Sequence, residues 1–110
     1  MNFSFESTYN NFIIYENIKN IEIYHKFLNW IKGEFDLYQM DELDGLIVYF
    51  PDGWFSITIL FESELDFKIV IKIKSKTLNS GIKIESQLKN KYSHLTHFFE
   101  NKGMNVLTQE

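Results

Sequence analysis

The sequence predicts an α+β domain: an antiparallel sheet of four to five strands with two helices packed on one face, in the order β-α-β-β-β-β-α. Three observations predict it. Residues 54–61 and 67–74 alternate apolar and polar side chains with period two. Ile84, Leu88, Tyr92, Leu95 and Phe99 recur at spacings of four, four, three and four, the stripe of a helix packed on one side. Strands that follow one another with turn-length gaps imply antiparallel pairing, with helices collected on a single face.

The elements follow in chain order. The first ten residues, MNFSFESTYN, alternate weakly and lead into a strand through Phe12–Tyr15. Asn17 is a good helix N-cap, since its side chain can accept from a free backbone N–H of the first turn. Ile21, Tyr24, Leu28 and Ile31 then keep helical spacing, with Ile23, Phe27 and Trp30 beside them. Gly33 suits a C-terminal stop, so the first helix is expected over 18–32. A short strand is expected at Phe35–Met40. Leu46–Phe50 is a strand that runs into Pro51-Asp52-Gly53, where Pro51 presets φ and Gly53 suits the left-handed position of a bulged hairpin. Trp54–Phe61 and Phe67–Lys74 complete a meander around a turn at Glu62–Asp66.

The meander predicts its own register. Pairing Phe61 with Phe67 brings Ile59 to Ile69, Ile57 to Ile71 and Phe55 to Ile73, all on one face. If Phe50 faces Trp54, Ile47 and Tyr49 join that face. Leu46, Val48, Phe50, Trp54, Leu60 and Val70 then point outward. The last helix is expected from a Ser80 cap to Lys102, with Gly103 as its stop. The final MNVLTQE reads either as a short strand or as a frayed tail.

With 110 residues there is room for one domain, 1–110, and one core. No cysteine is present, so neither disulfides nor thiolate chemistry arise. No signal peptide is legible in the first twenty residues, and no apolar run approaches the ~20 residues that span a bilayer. The chain is therefore expected to be cytoplasmic, with no membrane partner. All eleven basic residues are lysine and the net charge is −4, which disfavours nucleic acid as a general partner.

No motif calls for a cofactor or a metal. His94 and His97 lie three apart on a helix, and His25 is remote from them, so the spacing offers no third ligand. Ser, His and Asp are present without a nucleophile elbow. The glycines form no phosphate loop. Glu62, Glu64 and Asp66 are spaced to hold a hydrated cation, or equally to form a solvated turn.

Charge is distributed unevenly. Residues 34–67 carry nine carboxylates, Glu34, Asp36, Asp41, Glu42, Asp44, Asp52, Glu62, Glu64 and Asp66, and no base. Residues 68–110 carry eight lysines against three acids. Either the two sets neutralise each other across the meander, or the turns gather an acidic rim that attracts a basic partner. Trp54 and Phe50, placed outward beside those acids, would then anchor it, and Lys74 opposite Trp54 makes a cation–π rung. The same outer face suits a homodimer.

Two resemblances follow from these stretches. LDGLIVYFPDGWFSI, followed by FKIVIKIKS and a helix, with STYNNFII ahead of it, resembles the C-terminal domain of phosphohexomutases over about residues 7–100. The resemblance implies an α+β fold and contacts to sugar phosphates from the stretch Thr58–Leu65. That stretch reads TILFESEL here and lacks the family's Arg, Pro and Thr-Glu-Pro phosphate loop. Small, acidic, aromatic-rich proteins without cysteine are also similar, as a class, to bacterial toxin-immunity proteins, including those of contact-dependent inhibition systems. That resemblance implies a non-enzymatic protein that docks and neutralises a basic toxin domain, for example a nuclease. The residues expected to bind the partner are Asp36, Asp41, Glu42, Asp44, Phe50, Asp52, Trp54, Glu62, Glu64 and Asp66. The alternative is a degenerate or excised phosphohexomutase domain.

Overall fold

In the computed structural model the backbone is described for residues 9–62 and 67–109. The elements are β1 (Asn10–Asn17), α1 (Ile21–Glu34), β2 (Gln39–Asp41), β3 (Leu46–Phe50), β4 (Gly53–Glu62), β5 (Phe67–Ser75) and α2 (Leu78–Gln109). The five strands form one antiparallel sheet in the order β1-β5-β4-β3-β2. Both helices lie on the same face, as the apolar stripes require. Their side chains Tyr24, Phe27, Leu28, Ile31, Ile84, Leu88 and Leu95 close a core with Ile14, Leu46, Val48, Phe50, Phe55, Ile57, Ile69, Ile71 and Ile73 from the strands. The chain leaves β1 at one edge of the sheet and crosses by α1 to β2 at the other. β5 then returns to pair with β1.

The expected rungs Ile59–Ile69, Ile57–Ile71 and Phe55–Ile73 are all present. The outermost one is not: a bulge after Ile59 pairs Phe61 with Lys68 and Glu62 with Phe67.

β3 departs further from expectation. Phe50 pairs with Gly53, not Trp54, so the hairpin is closed by Pro51 and Asp52 alone. A one-residue shift turns every side chain of a strand over. Leu46, Val48 and Phe50 therefore enter the core, Phe50 being only 8% exposed, and Ile47 and Tyr49 face outward. Gly53 does not take the left-handed conformation that a bulged hairpin needs, since Gly45 alone has a positive φ among the described glycines. Gly53 is required for another reason: a Cβ there would strike the Lys74 carbonyl of β5.

The helix limits also move. Asn20, not Asn17, caps α1; its Oδ1 accepts from the Ile23 N–H at 2.9 Å. Asn17 is the last residue of β1. The helix continues through Gly33 and ends at Phe35, whose N–H donates to the Ile31 carbonyl. The strand expected at 35–40 is reduced to Gln39–Asp41 behind a turn. α2 begins before Ser80: Thr77 Oγ1 accepts from the Ser80 N–H, so Thr77 is the cap. The helix runs through Gly103 to Gln109, so MNVLTQ is helical and neither strand nor frayed tail.

Two polar ties hold α2 to the sheet. Tyr92 Oη donates to the Asn17 carbonyl at the end of β1. Replacing Tyr92 with phenylalanine is expected to cost about 1 kcal/mol, because that carbonyl loses its donor. For a domain of this size the loss lowers Tm by about 4–8 °C, readable by thermal melting. At the other end Asp52 Oδ2 accepts from the Thr77 N–H at 3.1 Å and from the Thr77 hydroxyl at 2.6 Å. The β3–β4 turn is thus fixed to the start of α2.

These bonds hold the Asp52 carboxyl below its ordinary pKa, the Thr77 hydroxyl contributing most and the Ser80 hydroxyl next. A depressed folded pKa gives stability that is present above the unfolded value and lost as pH falls through the folded one. Asp52→Asn is therefore expected to melt below wild type at neutral pH. The difference should shrink as pH falls past about 4 and vanish in stronger acid. Tm measured across pH for both proteins checks it.

Candidate docking edge

The α1–β2 turn, β2 and the β2–β3 loop form one edge of the molecule. The sequence there, DLYQMDELDG, holds Asp36, Asp41, Glu42 and Asp44. It also projects two leucines into solvent: Leu37 is 92% exposed and Leu43 93%. β2 keeps its inner side for β3 and, among the described residues, has no strand on its outer side. Short strands and charge at an edge are the usual protection against unwanted pairing. Leucines left almost wholly in water are not explained by that protection.

The expected neutralisation of acids by lysines is partial and comes from the helices, not from β5. Lys91 of α2 pairs with Glu34 at 3.2 Å. Lys32 of α1 pairs with Glu42 at 3.1 Å. Asp41 accepts from the Tyr49 hydroxyl at 3.2 Å, and that bond raises the pKa of the phenol. Asp36 and Asp44 make no ion pair among the described residues. A cleft of ≈ 380 Å³ opens between α1 and the β2–β3 loop, lined by Tyr24, His25, Lys32, Glu42, Leu43 and Asp44 among others. Burial, and then the Asp44 charge, raise the Tyr24 pKa. The cleft presents both signs of charge, with Lys32 already engaged by Glu42.

The expected site residues thus divide into groups. Asp41, Glu42 and Asp44 lie at the end of β2 and in the β2–β3 loop, and Asp36 lies in the α1–β2 turn at the other end of β2. Asp52, committed to Thr77, shares a cleft with Phe35 and Tyr38 near Asp36 and lies at the opposite end of β3 from Asp44. Phe50 is in the core and cannot anchor a partner. Trp54 is on the opposite, open face of the sheet, under Lys74, whose Nζ is 5.8 Å from the ring centroid. The expected cation–π rung is therefore present, and the ring lies beneath Lys74. The side chain of Glu62, and Glu64 and Asp66 altogether, lie outside the described residues. Sequence reasoning passed over Leu37 and Leu43. Their signal was two leucines set among acids in a stretch with no helical or strand period.

His94 and His97 are exposed on α2. No three of His, Asp and Glu gather at metal-binding distances among the described residues. Among the described residues, no helix is long and apolar enough to cross a membrane. Thr58–Glu62, part of the stretch in which the resemblance implied sugar-phosphate contacts, is the second half of strand β4. No protein-family model matches this chain, and no curated protein matches its sequence.

Proposed function

We propose that the chain is a non-enzymatic binding protein that docks a basic protein partner along the acidic edge, in the manner of a bacterial toxin-immunity protein occluding a toxin's active site. The observation that carries this reading is the exposure of Leu37 beside Asp36 at one end of β2 and of Leu43 between Glu42 and Asp44 at the other. Apolar side chains beside like charge have the composition of an anchor with a steering rim. Asp36 and Asp44, in no ion pair among the described residues, supply attraction at a distance. The leucines supply area that loses water only on contact. The class resemblance to immunity proteins supports a toxin domain as the partner, and the charge supports one whose active site is basic, such as a nuclease.

The test is co-purification with a basic toxin domain encoded beside this chain, followed by association kinetics over a range of salt. The association rate should fall steeply as salt rises, because exposed charges more than about 8 Å apart are screened at physiological ionic strength. Failure to co-purify, or a rate indifferent to salt, would count against the reading.

A further inference from the structure

We infer that the open face of the sheet, which meets the acidic edge at Asp41, binds single-stranded nucleic acid. Both helices pack on the other face, and no described helix or strand covers this one. Its side chains are the outward residues of each strand, and the pairing places them in rows. Asn11, Lys74, Trp54, Tyr49 and Gln39 form one row. Ile13, Lys72, Ser56, Ile47 and Asp41 form the next, followed by Tyr15, Val70 and Thr58.

Charge and rings then decide the occupant. Lys68, Lys72 and Lys74 stand along β5, and Asp41 on the far edge strand is the one carboxylate on the face among the described residues. Two copies meeting face to face would oppose like charge, so a second copy is disfavoured. A basic protein is disfavoured for the same reason. Outward residues two apart on a strand are about 6.8 Å apart, which gives Lys72 and Lys74 a spacing of the order of successive phosphates on an extended single strand.

Rings lie on both sides of this cationic stripe. Tyr15, 59% exposed, is on the β1 side, and Trp54 and Tyr49 are on the β4–β3 side. An acidic protein would also satisfy the lysines. Exposed Tyr15 and Tyr49, with half-buried Trp54 beneath Lys74, flank the line of cations and have their counterpart in unstacked bases joined by phosphates. The net charge of −4 disfavours nucleic acid over the molecule as a whole, but not here. The acids sit on the edge and on the helix side, where Glu42 and Glu34 are paired with lysines of the helices.

Fluorescence anisotropy with labelled oligothymidylate and oligouridylate at low salt tests this. Saturable binding is expected, with log affinity falling against log salt at a slope near −2, about −0.7 for each phosphate neutralised by three lysines. Lys72→Glu with Lys74→Glu should abolish it. Tyr15→Ala should weaken it about fivefold or more and leave the salt slope unchanged. All these positions are outward, and far-ultraviolet circular dichroism checks that the variants stay folded. No binding, equal binding of polyglutamate, or binding insensitive to the lysine changes would overturn the inference. A dimer in sedimentation that buries this face would overturn it too.

Discussion

Alanine at Gly45 is expected to destabilise the fold by about 3 kcal/mol or more. Two independent terms contribute. Gly45 has φ +111°, a conformation that side chains resist. A Cβ there would also enter the van der Waals shell of the Ile57 carbonyl on β4, with Thr58 Cα at 3.1 Å behind it. Those are backbone atoms in a paired strand, so they cannot swing aside as the end of a side chain would. Relief requires β3 to part from β4 next to Leu46–Ile57, the rung that seals one end of the core. Urea unfolding should show the midpoint falling with the slope unchanged. A loss under about 1 kcal/mol would mean that the loop can re-route, and that Gly45 does not fix the entry to β3.

How far the sequence revealed this fold depends on where its pattern carried phase. β4 and β5 alternate over most of their length, broken at Leu60 and Val70, and their inner rungs are as expected. Leu46-Ile47-Val48-Tyr49-Phe50 is apolar at every position, so it does not state which side faces the core. Its phase had to come from the turn, and reading Gly53 as a turn residue instead of the first residue of β4 inverted the strand. The consequence reached function. Phe50 moved from candidate anchor to core, and Tyr49 moved to the open face. Helix interiors were legible for the same reason that β4 was, because Phe27, Ile31, Leu88 and Leu95 keep a period. Helix ends were not, because Asn17 and Asn20 are equally good caps. Only the strand pairing of Asn17 with Lys68 decides between them. The acidic character of residues 34–67 was plain from composition. That Glu34 and Glu42 are neutralised from the helices, and that Trp54 lies beneath Lys74 on the open face, required the sheet order.

Removing both edge leucines, Leu37→Ala with Leu43→Ala, is expected to leave stability within about 0.5 kcal/mol of wild type, because neither side chain is buried in the folded chain. Affinity for the basic partner should respond very differently. Burying a leucine contributes about 1.5–3 kcal/mol, so two that are fully covered on docking contribute about 3 kcal/mol or more. That corresponds to weakening of about 100-fold or more. The loss should appear in the dissociation rate, because apolar contacts form only once the surfaces meet. Asp36→Asn with Asp44→Asn should instead slow association and flatten its salt dependence, leaving dissociation nearly unchanged. The two pairs of substitutions therefore separate anchoring from steering in one kinetic experiment. If the leucine variant keeps its affinity while the aspartate variant loses it, attraction is general and the edge is not the docking site. If both keep it, the partner binds elsewhere on the molecule.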